Sequence, residues 1–127
     1  GSEMCIRDST ADEKNSSMVK APFGIVGMET AAALTYTELV LGGYLTPMQM
    51  VEKMSYNPAQ ILHLKKGTLE EGRMADVMLF DPECTYAIDK NKFWSKAKNT
   101  PFHSRKVTGK VMMTICDGKI VYDAAEE

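Results

Sequence analysis

Three cysteines without a CxxC pair, two isolated histidines and no long apolar run leave this chain short of the usual local signatures of chemistry. Cys5, Cys84 and Cys116 are an odd number, which argues against a disulfide framework and fits a reducing compartment, with the cytoplasm as the expected location. His63 and His103 stand far apart, so no HxH or HxxxH pair offers a metal site by local spacing. Nothing approaches the roughly 18 consecutive apolar residues of a membrane span, and the N-terminus has no basic stretch leading into an apolar one. No membrane association is expected. A net charge of -2, with both signs interspersed, supplies no basic stripe for a phosphate backbone, so nucleic acid is not an expected partner. What is present is ordinary for a soluble protein: 44% hydrophobic and 25% charged residues exclude disorder and fibrous repeats. A chain of 127 residues can bury one core or two small ones.

Residues 1–20 are polar and irregular, and residues 1–9 (GSEMCIRDS) share no pattern with the rest of the chain and read as foreign sequence. Ala21-Pro22-Phe23-Gly24-Ile25-Val26-Gly27 is a loop, with one φ fixed by proline and two glycines that permit close backbone approach. Apolar residues at helical spacing predict a helix from Met28 to Leu41, stopped by Gly42-Gly43. Thr46-Pro47-Met48-Gln49 has the grammar of a capping box and predicts a second helix to about Met54. Asn57-Pro58-Ala59-Gln60 repeats that grammar and predicts a third, capped by Asn57 and ending at Leu64. After Gly67 the period changes. Ala75 to Phe80 predicts a strand ended by Asp81-Pro82, and Val107–Cys116 with Lys119–Asp123 flank Asp117-Gly118, a dipeptide suited to a type I′ hairpin. Helices first and strands afterwards predict segregated layers, or the end of one domain joined to the start of another.

Most polar residues read as structural. His63 falls at a helix end, where its charge would suit the dipole, and His103 in a polar loop. Ten methionines, among them Met48, Met50, Met54, Met74, Met78, Met112 and Met113, follow core periodicity and are expected to fill a core. Asp76, Asp81 and Asp89 lie beside strand or turn signals without a paired base and are expected to cap and turn. Cys84 has no neighbour in sequence that would lower its pKa, so no reactive nucleophile is expected there.

Five segments carry a family resemblance: APFGIVGMET (21–30), LTPMQMVEKMSYNPAQIL (45–62), GTLEEGRMADVMLFDP (67–82), SKAKNTPF (95–102) and GKVMMTICDGKIVY (109–122). Together they resemble the dihydroorotases of the bacterial, multifunctional-enzyme-like branch of the amidohydrolases. NPA and ADVMLFDP recur across many amidohydrolases, whereas SKAKNTPF is more selective. Such enzymes are (β/α)8 barrels with a small β-sandwich built from both chain ends. The resemblance therefore implies an α+β fragment, in which residues 21–66 are the last loop and helices of the barrel and residues 67–127 are part of the sandwich. A whole barrel needs roughly 200 residues or more, so this chain cannot contain one.

The resemblance implies a cyclic amidohydrolase that interconverts N-carbamoyl-L-aspartate and L-dihydroorotate in pyrimidine biosynthesis, with two zinc ions activating water. The family's metal ligands and catalytic aspartate, the latter in a DHAPH motif, lie upstream of anything matched here. Register through Ala11-Asp12-Glu13-Lys14 sets Ser9 where the last histidine of that motif falls, so Asp8 is not the catalytic aspartate. The chain alone is expected to be inactive and to bind no zinc. One substrate contact is implied, the backbone at Phe23-Gly24, where glycine allows the ring or carboxylate of a small molecule to come close. A homo-oligomer or a transcarbamoylase partner is implied for the intact enzyme. Ser104, where the family often has glycine, departs from the pattern and loosens the subfamily assignment. The alternatives are another cyclic amidohydrolase, such as an allantoinase or a hydantoinase/dihydropyrimidinase, and a noncatalytic scaffold of the same descent. Uncovered helix faces and sheet edges predict self-association of the isolated chain.

Overall fold

The computed structural model describes residues 12, 17, 19–20 and 24–125. Helix α1 spans Met28–Thr35 and begins where the Gly27 carbonyl accepts the Thr30 and Ala31 N–H groups at 3.2 and 2.9 Å. Its alanines favour helix strongly. The helix anticipated as far as Leu41 then widens into a π turn over Tyr36–Val40, closed by the Leu41 N–H on the Tyr36 carbonyl at 3.0 Å. Thr37 accounts for the widening. Its hydroxyl donates to the Ala33 carbonyl at 2.8 Å, competing with the regular ladder in a way that loosens a helix. Gly43, at φ 79°, ends the segment, as its own N–H reaches Val40 and the Tyr44 N–H reaches Leu39.

The Thr46 capping box is present as its grammar predicts. The Thr46 hydroxyl accepts the Gln49 N–H at 3.2 Å, and the Gln49 side chain accepts the Thr46 N–H at 2.9 Å. Helix α2, Pro47–Val51, continues through a second π turn, Glu52–Tyr56, into α3, Asn57–Ile61. This corrects the expected break before a third helix: Asn57 lies in helical backbone at φ -61° and ψ -45° and opens nothing. Pro58 has no N–H to complete a regular turn. The π turn, with the Asn57 N–H on the Glu52 carbonyl, is how the helix passes it without stopping. The end comes at His63, φ 53°, whose N–H reaches Gln60 while the Leu64 N–H reaches Ala59. This is a Schellman ending, with histidine where glycine is usual.

Strands β1 (Val77–Ala87), β2 (Lys106–Cys116) and β3 (Lys119–Asp123) form a sheet in the order β1-β2-β3. The expected stop at Asp81-Pro82 is corrected: β1 runs through it. An edge strand has one side on which a missing N–H costs no ladder bond, so proline is tolerated there. The Asp81 carboxylate takes up the N–H groups of Glu83 and Cys84 at 2.8 and 3.3 Å. The β2–β3 hairpin turns at Asp117 (φ 52°) and Gly118 (φ 72°), both positive as a type I′ turn requires. Its antiparallel register pairs Cys116 with Lys119 and Met113 with Asp123, with an irregularity at Thr114/Ile115.

The chain divides into two compact units. In one, the described residues through Ala31 and those of Tyr86–Val107, Val26 and Ala97 form a buried pair with Phe93 packed on it, and Ile88 and Val107 are fully buried. Ile88 is held by its N–H on the Arg105 carbonyl and its carbonyl under the Ser104 N–H. In the other, Ala32–Thr85 with the residues from Thr108 onward, Tyr36 and Phe80 meet edge to face at 5.3 Å. There Gly109, at φ 99°, leaves room for the Phe80 ring. The Thr37 hydroxyl accepts the Thr108 N–H at 2.9 Å, and the Thr108 carbonyl, at 3.0 Å, is the alternative to Ala33 as acceptor for its one hydrogen. Because β3 pairs only with Met113–Cys116, that side of β2 has no strand partner at Thr108, and Thr37 stands in for one.

The methionines correct their core assignment. Met50 is buried, but Met28, Met48, Met54, Met74, Met78 and Met112 are exposed. Their periodicity is that of a helix or strand face, and among the described residues nothing covers them.

Candidate functional site

Of the two residues singled out for substrate contact, Phe23 lies outside the described residues and Gly24 opens the loop ahead of α1. Gly24 has φ 100°, a backbone conformation that a side chain disfavours. One residue from the SKAKNTPF segment grips the loop twice. Asn99 donates its side-chain Nδ2 to the Gly24 carbonyl at 2.7 Å, and its backbone carbonyl accepts the Val26 N–H at 3.1 Å. The other amide atom, Oδ1 of Asn99, is buried without a hydrogen-bond partner.

The segment behind the loop is itself tied down. Glu29, in the first turn of α1, accepts the Trp94 N–H with one carboxylate oxygen at 2.9 Å and the Ser95 N–H with the other at 3.0 Å. The Lys98 ammonium donates to the Phe93 carbonyl, the Thr100 N–H to the Lys98 carbonyl, and the Phe102 N–H to the Thr100 hydroxyl. Ala97 is wholly buried against Val26. The arrangement is a braced backbone loop suited to binding and orientation.

Neither Asn99 nor Glu29 was singled out by sequence reasoning, although SKAKNTPF stands out there as a selective segment. The resemblance marked the segment but no residue within it, and the loop that Asn99 holds is 75 residues away.

The remaining candidates behave as structural residues. Asp89 caps a short 3-10 turn, Lys90–Lys92, through the Asn91 N–H at 3.0 Å. His103 accepts the Lys90 N–H on Nδ1 at 3.3 Å, with Asp89 at 3.9 Å. His63 is exposed at the end of α3. Asp76 pairs with Lys66 and accepts the Asp117 N–H at 2.8 Å, while the Gly118 N–H reaches the Ala75 carbonyl, so the hairpin turn is clasped to the strand that leads into β1. The Lys66 hydrogen bond holds the Asp76 carboxyl below its ordinary value of 3.8, and the same bond raises Lys66 above 10.5. An open groove of about 540 Å³ lies beside that clasp, lined by Leu64, Lys65, Lys66, Glu71, Arg73 and Met74. Among the described residues no three His, Cys, Asp or Glu side chains converge to hold a metal ion, and no helix is long and apolar enough to cross a membrane.

The model of the Amidohydrolase family matches residues 6–121. Among curated proteins, the dihydroorotase of Clostridioides difficile (strain 630) is 47% identical over 113 residues, 89% of this chain and 26% of that protein. The dihydroorotase of Acetivibrio thermocellus is 49% identical over 111 residues, 87% of this chain and 26% of its own. The chain thus spans about a quarter of the length of the curated relatives it matches. Among solved structures, the L-hydantoinase (dihydropyrimidinase) of Arthrobacter aurescens superposes with a TM-score of 0.76 at 32% identity, over 84% of this chain and 24% of that one. The dihydropyrimidinase of Brevibacillus agri NCHU1002 reaches 0.80 at 24% identity, a likeness of fold, over 91% of this chain and 26% of that one.

Proposed function

The chain belongs to the amidohydrolase family, and from that membership we propose that it is the C-terminal part of a dihydroorotase, whose intact form reversibly cyclises N-carbamoyl-L-aspartate to L-dihydroorotate for pyrimidine synthesis in the cytoplasm. The observation that carries this reading is near-half identity to proteins named dihydroorotase over almost the whole chain. In the intact enzyme the helices are the last of a (β/α)8 barrel and the three strands a portion of its small sandwich.

In this reading Phe23 and Gly24 offer backbone groups to the substrate. The φ of 100° at Gly24 supports the role, since a residue without Cβ lets a flat ring approach the chain, and the bonds from Asn99 fix the peptide it would approach. Zinc supplies activated water in enzymes of this kind. On this reading the ions are held by other parts of the intact polypeptide. The chain by itself is inactive on this reading. It contributes binding and orientation, and the proton transfers belong to residues it lacks.

A hydantoinase or dihydropyrimidinase is the second reading, favoured by the structural neighbours. A graft separates the two. Residues 10–123 replace the matching quarter of the Clostridioides difficile dihydroorotase, and the hybrid is assayed with dihydroorotate, hydantoin and dihydrouracil. Hydrolysis of dihydroorotate near the unmodified rate supports the first reading. Loss of that activity in a folded hybrid, or a new preference for hydantoin, supports the second.

A further inference from the structure

Buried polar atoms without partners are rare in folded proteins, and each marks a place where something else arrives or where strain is held. Asn99 carries the only such side-chain atom among the described residues, and it sits on the residue that grips the Gly24 loop. Three of its polar groups divide the work. The backbone carbonyl holds Val26, the Nδ2 holds the Gly24 carbonyl, and the Oδ1 is held in reserve inside the protein. Around it, Ala97 is packed solid against Val26, and Glu29 ties Trp94 and Ser95 to α1, so the side chain is presented from a rigid support.

We infer that Asn99 is a positioning residue for substrate binding, acting through the Gly24 loop; this rests on the reading of that loop as the substrate contact. Gly24 at φ 100° has many other conformations open to it, and glycine visits them at little cost. Without the Nδ2 bond the loop spends part of its time elsewhere. A site competent for only a fraction of the time binds its ligand more weakly by that same fraction, while the complex, once formed, reacts as before. The expected signature is therefore a raised KM with an unchanged kcat. A loop competent about one tenth of the time gives roughly a tenfold rise.

The test uses the full-length polypeptide that carries this chain, with its metal, and compares wild type with Asn99→Ala and with the near-isosteric Asn99→Asp. Asp keeps the volume and the acceptor but loses the donor to Gly24. Both variants are expected to raise KM for dihydroorotate by about tenfold or more, with kcat within about twofold and a melting temperature lower by a few degrees. Hydrogen exchange across residues 24–27 is expected to quicken in both. An unchanged KM, or a fall in kcat and melting temperature together at constant KM, overturns the inference and leaves Asn99 a packing residue. Should Asn99→Ala not fold, Asn99→Asp decides alone. Wild-type protein without dihydroorotase activity counts against the proposed function instead, and hydrogen exchange then still decides whether Asn99 holds the loop.

Discussion

Replacing Gly109 with alanine is expected to destabilise the Ala32–Thr85 unit by about 2–5 kcal/mol. Two costs add. Gly109 has φ 99°, where a residue with a Cβ is strained by roughly 1–2 kcal/mol. The new Cβ would also stand 2.4 Å from Cζ of Phe80, 3.0 Å from its Cε1 and 3.0 Å from Cδ1 of Tyr36. Phe80 cannot step aside freely, because it is packed edge-on against Tyr36. Forcing a methyl group into such a contact costs about 1–3 kcal/mol. Urea unfolding of wild type, Gly109→Ala, Phe80→Leu and the double variant Gly109→Ala/Phe80→Leu measures both parts, since leucine removes the clashing ring edge and leaves the φ strain. The double variant should recover part of the loss relative to Phe80→Leu alone. A Gly109→Ala stability within about 0.5 kcal/mol of wild type would refute the reasoning, showing that neither the φ nor the ring is as constrained as described.

Three further outcomes are expected. Thr37→Val keeps the shape but removes the hydroxyl that accepts the Thr108 N–H and donates to one of the Ala33 and Thr108 carbonyls, leaving the N–H unpaired; a loss of about 1–3 kcal/mol in urea unfolding is expected, and a loss below the error would show that water replaces the bond. Ser104, at φ 65°, should gain from Ser104→Gly, with relief of about 1–2 kcal/mol of strain partly offset by the looser unfolded chain, giving a melting temperature higher by a few degrees. For the Lys66–Asp76 clasp, a lowered Asp76 pKa means stability present above the unfolded value and lost as pH falls through the folded one. A raised Lys66 means stability present at neutral pH and lost only as pH rises past its folded value. The melting-temperature gap between wild type and Asp76→Asn should therefore stay level through neutral pH and close below about pH 4; a gap that persists in acid would remove the ion pair from the explanation.

Local grammar was legible where the hydrogen bonds it predicts are themselves local. Thr46 with Gln49, and Asp117 with Gly118, satisfy their own neighbours, so four residues specify each. Asn57-Pro58 misled because the same letters that open a helix can be carried through one when a π turn absorbs the missing N–H. Asp81-Pro82 misled for another reason: whether proline ends a strand depends on whether that strand is at an edge, which is a property of the sheet. The methionine spacing correctly traced faces, but burial needs a partner that spacing cannot name. At the candidate site, the Gly24 loop was singled out through resemblance alone, and its φ of 100° is one that glycine permits. Asn99 escaped because its meaning lies in a contact with a distant loop.

The most direct test of the central claim is to recover the coding sequence that precedes Thr10, express the full-length polypeptide with zinc, and assay it with dihydroorotate beside hydantoin and dihydrouracil. An upstream frame carrying an HxH motif, a barrel lysine and a DHAPH motif, and an enzyme that prefers dihydroorotate, is the predicted result. A start codon near Met4 with no such frame behind it, or a full-length enzyme indifferent to dihydroorotate, would contradict it.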